Sequence, residues 1–338
     1  MISLQREITA PCNIFEENGE VMQAGWARTP VFRLNEELSK ARGKFGEKDS
    51  YFVNNGEVSL YLSVENFGTE FSINIAVADL KRGGVISDCV YKKLHILRGG
   101  LPKTGSNGEF FYSDKRMTLQ LDSNMDGRFL RCEFEEFGGR QPMEFQIVLK
   151  KTLSESLNEL APFERNRRYF YFKRFAPDYM AKGAIRVGGM NYSLEENNAR
   201  AYFDWTRFSK PRPHHYQRLS ADCMIDGKRF SLCLASRVGD NRYGNENCFF
   251  YEGKLEKLSQ INVKGTPNRM DRPFYFRGGM SALDITFKPF TVHGSAMTAD
   301  MSGTSVIFGR LYGTINRVDM DQPLVLDNAQ AHLVFSEF

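Results

Sequence analysis

The 338-residue chain lacks most of the marks by which a sequence declares its chemistry. Its six cysteines, Cys12, Cys89, Cys132, Cys223, Cys233 and Cys248, are far apart with no CxxC spacing, so neither a zinc site nor a disulfide framework is signalled. They read as free, mostly buried thiols. No HExxH, HxH or carboxylate-spaced cluster occurs, and no metal is expected. Gly188-Gly189 and Gly278-Gly279 lack both the Gly-x-Gly-x-x-Gly spacing and a following helix, and there is no Gly-x-Ser-x-Gly elbow. Nucleotide-cofactor and α/β-hydrolase chemistry are therefore set aside, and no cofactor is expected. An excess of one charge is missing too: 45 basic against 41 acidic residues leave a formal charge of +4, too small and scattered for a nucleic-acid partner. No window approaches the ~20 apolar residues of a membrane helix, and MISLQREITAPCNIF has no basic segment followed by an apolar run. The expectation is a cytoplasmic protein with no integral membrane segment; its oligomeric state stays open.

What is present is aromatic and strand-like. The 28 Phe and 14 Tyr favour strands and apolar cavities over helical bundles. From about residue 58 onward, short runs rich in β-branched and aromatic residues are cut by Gly, Asn, Asp and Pro. In Phe71 to Leu80, Phe71, Ile73, Ile75 and Val77 alternate with smaller or polar neighbours, as on a strand with one buried face. Asp226-Gly227 and Glu252-Gly253 sit between strand-like runs as hairpin turns do. About sixteen short strands fit an all-β architecture of sandwiches or barrels. The length suggests two domains. The one break in the pattern, Thr152 to Lys182, is compatible with a helical turn and carries Pro162 and Pro177; it places a boundary near residue 165, giving domains 1–165 and 166–338.

The densest collection of chemistry-bearing residues is Ala201 to Ala221, AYFDWTRFSKPRPHHYQRLSA. His214 and His215 titrate near neutral pH and are candidate catalytic groups, but neighbours on a strand face opposite sides of the sheet, so at most one enters a cavity; a structural or surface role is the alternative. Asp204 lies in an apolar strand, where burial raises a carboxyl pKa unless Arg207 or another cation compensates. It reads either as a general acid or base or as an anchor fixing the Asp-Trp corner. Asn245, Glu246 and Asn247 precede a strand and read either as ligand-orienting groups at a barrel mouth or as turn chemistry. Trp26 reads as a plug between domains.

Several segments together resemble the family called domain of unknown function 2804. The resemblance rests on Gly25-Trp26-Ala27-Arg28-Thr29-Pro30, on Pro162-Phe163 with Phe172-Lys173, Gly183 to Gly189 and Asp204-Trp205-Thr206-Arg207, and on Asn245-Glu246-Asn247 before Glu252-Gly253-Lys254-Leu255. Leu283 to Pro289 and Phe308-Gly309 complete it. It implies two lipocalin-like β-barrel halves, distantly similar to hydroxyneurosporene-synthase-like and AttH-like proteins, with a ligand cavity in or between them. The chain departs from the family pattern after Arg207: Phe208 replaces a glycine, and Tyr216-Gln217-Arg218 stands where two tryptophans are usual. A cavity lined by that region suits a more polar or anionic ligand. The functional expectation is binding of a small, partly apolar molecule, extending to metal-independent acid–base hydratase, lyase or isomerase chemistry. Asp204 would be acid or base, His214 or His215 the proton shuttle, and Arg207 or Arg218 an anion clamp, with Trp205, Tyr216, Asn245, Glu246 and Asn247 in contact with the ligand. The alternatives are a non-catalytic lipid or metabolite carrier, and a carbohydrate-active lyase or hydrolase using Asp204 with Glu246.

Overall fold

The computed structural model describes residues 5–39, 45–68, 70–81, 84–93, 100–139, 141–152, 154–163, 166–209, 215–236, 244–266, 271–279, 282–290, 304–317 and 322–337. Among them the architecture is all-β: two large antiparallel sheets, each curled into a half-barrel, and a single 3-10 turn at Glu36–Leu38.

The first sheet has 13 strands. Its central run lays Val58–Asn66 beside Phe45–Asn54, Arg200–Ser209, Asn166–Val187 and Gln141–Lys150. The 9-stranded second sheet begins with His215–Ile225, which pairs with Lys228–Ser236 on one side and Leu324–Glu337 on the other. The chain thus passes from one sheet to the other between Ser209 and His215, and the strands on either side of the expected boundary, Leu157–Phe163 and Asn166–Val187, both belong to the first sheet. Among its described residues the interval Thr152 to Lys182 holds no helical turn. Its apolar and charged residues alternate as a 22-residue strand, and Pro162 sits near a register shift beside Phe163. The hairpin signals hold: Asp226 and Gly227, and Glu252 and Gly253, all have positive φ, the conformation of a two-residue turn that matches strand twist.

Strand parity explains how the halves join. In Phe71–Asp79, Phe71, Ile73, Ile75 and Val77 fill the first half's interior while Ala76 and Ala78 face the other way, and all nine residues are buried. Leu219, Leu232, Leu234, Phe249, Ile285 and Leu333 belong to the second half's interior. Between the two lies a third layer in which Phe52, Tyr61, Phe175 and Tyr202 of the first sheet meet Cys233, Phe250, Val306, Phe308 and Val334 of the second. Trp26 is in this layer, with the Arg28 guanidinium 5.3 Å from its ring. The sheets therefore pack back to back through their convex faces, and the seam strands are buried on both sides.

Candidate functional site

A period of two assigns each charged residue of the seam strands to a face. In Arg200–Ser209, Phe203 and Trp205 point into the first half's interior, so Tyr202 and Asp204 point into the seam. In Asn166–Val187, Phe170 and Phe172 point inward and Lys173 and Phe175 into the seam. In His215–Ile225, Leu219 and Ala221 are interior, and Arg218 faces the seam.

These placements bring four charges together. Lys173 Nζ lies 3.2 Å from Asp204 Oδ2 and also contacts Glu246 Oε2. Arg218 Nη1 contacts Asp204 and lies 3.7 Å from Glu246 Oε2. The Tyr171 hydroxyl donates to Glu246 Oε1, and Thr206 Oγ1 donates to Asp204 Oδ1 at 3.1 Å. None of the four charged side chains is more than 1% exposed. Two cations and two carboxylates cancel, which is the condition for holding charge away from water. Arg218 Nε and Nη2 nevertheless have no hydrogen-bond partner among the described residues.

The pairing fixes protonation states. Burial alone pushes the Asp204 carboxyl up, but the charges of Arg218 and Lys173 outweigh it and hold its pKa below the usual value. Burial pulls the Lys173 ammonium down and Arg218 repels it, yet Asp204 and Glu246 leave it raised. Asp204 thus sits as a counter-ion to Arg218 and Lys173. Both carboxylates of the Asp204 and Glu246 pair contact the same two cations.

Two further groups border this cluster. Glu159, on Leu157–Phe163, is 1% exposed, and neither of its oxygens has a hydrogen-bond partner among the described residues. Burial pushes its pKa up to about 7, offset in part by Lys257 and Lys173. His332 Nε2 lies 2.5 Å from the Tyr202 hydroxyl, its ring stacked on Phe52 at 4.2 Å. Burial and Arg218 push its pKa well below the ordinary histidine value.

The other sequence candidates fall elsewhere. Arg207 and Trp205 face the first half's interior, opposite Asp204, so the cations that compensate Asp204 are Arg218 and Lys173 rather than Arg207. Arg207 Nη1 donates to Asp49 at 2.7 Å, its Nη2 to the Pro102 carbonyl at 2.6 Å, and its guanidinium lies 4.4 Å from the Trp205 ring. Tyr216 is buried against Phe163, Tyr171 and Phe208. His214 lies outside the described residues, and of His215 only the backbone, the first residue of its strand, is described. Glu246 is in the cluster. Asn245 accepts from Lys257 Nζ through its carbonyl and, at 2.8 Å, its side chain, and Asn247 Oδ1 accepts from the Ala235 amide at 2.8 Å. Both asparagines are thus spent on shaping the segment that carries Glu246. Among the described residues no three His, Cys, Asp or Glu side chains cluster as metal ligands, and no helix is long and apolar enough to cross a membrane.

The sequence reading missed Lys173, Tyr171 and Glu159. A lysine beside aromatic rings reaches water from a strand with one open face, but around Lys173 both faces of the strand are covered. The available signal was the lone charge in Leu157-Asn158-Glu159-Leu160-Ala161 and in Phe172-Lys173.

A pair of back-to-back lipocalin-like half-barrels with an ionic seam defines the class. The chain belongs to the family described as domain of unknown function (DUF2804), whose model matches residues 5–331. Among solved structures it is similar to CghA bound to Sch210972, with a TM-score of 0.54, 10% identity and coverage of 88% of this chain and 89% of that one. It is also similar to a putative AttH from Nitrosomonas europaea, at 0.53 and 9% over 86% and 92% of the two chains. Kievitone hydratase from Nectria haematococca aligns at 0.50 and 8%, over 86% and 88%. At these identities the likeness is one of fold. No curated protein matches the sequence.

Proposed function

We propose that the seam binds a small, partly apolar molecule through a polar or anionic head group held by Arg218, and that the protein acts on it by metal-independent acid–base chemistry in the cytoplasm. The observation that carries this reading is the unsatisfied part of a fully buried charge cluster: Arg218 Nε and Nη2 and both Glu159 oxygens have no partner among the described residues. A cluster serving only to join the halves would be matched group for group, or replaced by apolar side chains at no loss of stability. Unmatched buried donors and acceptors are what a ligand completes. The aromatic wall of Phe175, Tyr202 and Phe250 beside the cluster suits an apolar body. The names of two fold neighbours, a hydratase and a structure with a bound small molecule, support the same direction. Six free cysteines accord with a reducing compartment.

The test is native mass spectrometry of freshly purified protein, joined to thermal unfolding with a panel of aryl-alkyl ketones and carboxylates. A bound species, or a stabilisation that grows with ligand concentration as linkage requires, is expected. Protein of apo mass that no panel member stabilises would remove the reading. Recovery of a bound molecule chemically unchanged after incubation would favour the carrier alternative.

A further inference from the structure

Resting on that reading of the seam, we propose that Glu159 is the group that exchanges a proton with the bound molecule, a β,γ-unsaturated ketone whose oxygen is held by Arg218, and that the reaction is an isomerisation. Asp204 and Glu246 share Lys173 and Arg218. Lys257, close enough to act on Glu159, directs its ammonium to the Asn245 and Asn247 carbonyls and Asn245 Oδ1. Glu159 alone among the seam carboxylates named here has both oxygens unmatched. The backbone passes directly over its side chain: a Cβ at Gly244 would lie 2.7 Å from Glu159 Oε1. A buried carboxyl without partners costs several kcal/mol if ionised, and burial accordingly holds its proton until about pH 7. A carboxyl poised near the working pH is the form suited to both halves of a proton exchange.

The step balances without another reactant. The Glu159 carboxylate takes a proton from the carbon beside the carbonyl. That C–H pair becomes a carbon–carbon double bond, and the carbonyl π pair moves onto oxygen, where Arg218 Nε and Nη2 stabilise the negative charge. As the carbonyl re-forms, the enolate double bond shifts to the α,β position and the pair of the original β,γ double bond takes the proton from Glu159 at the γ carbon. Nothing is oxidised, reduced or added.

The first half of the step can be read with 4-phenylbutan-2-one, partly apolar and slow to enolise in buffer. Binding is followed by saturation-transfer NMR, and exchange by loss of the proton signals beside the carbonyl in deuterated water. The wild type is expected to bind and to speed exchange; Glu159→Gln is expected to bind but to exchange about 100-fold more slowly. Binding with exchange unchanged in Glu159→Gln overturns the assignment and leaves the ligand site standing. Absence of binding overturns the site reading itself. Should Glu159→Gln fail to fold, the wild-type exchange rate decides: a rise through about pH 7, with Lys257, Glu246 and Lys173 the charges acting on the carboxyl, supports the assignment, and a flat profile overturns it.

Discussion

Replacing Glu159 with Gln should stabilise the protein at neutral pH, and the size of the effect follows from the burial. The folded-state pKa is raised from 4.5 to about 7. A raised carboxyl keeps its proton in the native state where the unfolded chain has already released it. Its contribution is therefore fully present below the unfolded value and is lost as pH rises to the folded one. Each pH unit of the interval is worth about 1.4 kcal/mol, so ionised Glu159 costs the fold about 3 kcal/mol at pH 8. Glutamine occupies the same volume and cannot ionise. His332 acts with the opposite sign, since burial depresses its pKa and stability is lost as pH falls below about 6.5. The two slopes oppose each other between about pH 4.5 and 6.5 and mask one another in the wild type, so the informative quantity is the difference between Glu159→Gln and wild type. Urea unfolding of both proteins between about pH 4 and pH 8 should show the variant gaining about 3 kcal/mol relative to wild type as pH rises. A difference that stays constant within about 1 kcal/mol, or that grows toward acid, would refute an unpartnered, desolvated Glu159.

Arg218→Met leaves Asp204 and Glu246 sharing one ammonium and should cost about 3–5 kcal/mol in equilibrium unfolding; adding Asp204→Leu should recover at least half, and strict additivity would argue against the pairing. His332→Gln should reduce the loss of stability below about pH 6.5 relative to wild type, by up to about 1.4 kcal/mol per pH unit, seen as a flatter acid limb of the unfolding midpoint against pH. Gly244→Ala should cost about 1–3 kcal/mol, because its Cβ would lie 2.7 Å from Glu159 Oε1. A double-mutant cycle with Glu159→Ala should return a coupling above about 0.5 kcal/mol, and none if the clash is relieved elsewhere.

The sequence made some of this legible for identifiable reasons. The alternation in Phe71 to Leu80 and the Asp226-Gly227 and Glu252-Gly253 turns are local signals, and local geometry decides them. The opposite placement of Asp204 and Arg207 was equally legible, because residues three apart on a strand cannot share a partner across one face. The fate of Lys173 and Glu159 was not, since a strand with one covered face would put both in water. Only the back-to-back packing, a property of the whole chain, covers the second face. That packing also separates the two arginines retained as anion-clamp candidates. In Arg207, Nη1 donates to Asp49 and to the Thr206 carbonyl and Nη2 to the Pro102 carbonyl, while Nε lies 3.5 Å from Glu47 Oε1 without a hydrogen bond. Arg218 is as deeply buried, yet its Nη2 as well as its Nε lacks a hydrogen-bond partner among the described residues. A buried donor left open is costly where the fold alone is concerned, and that cost distinguishes a group held for a ligand from one held for the architecture.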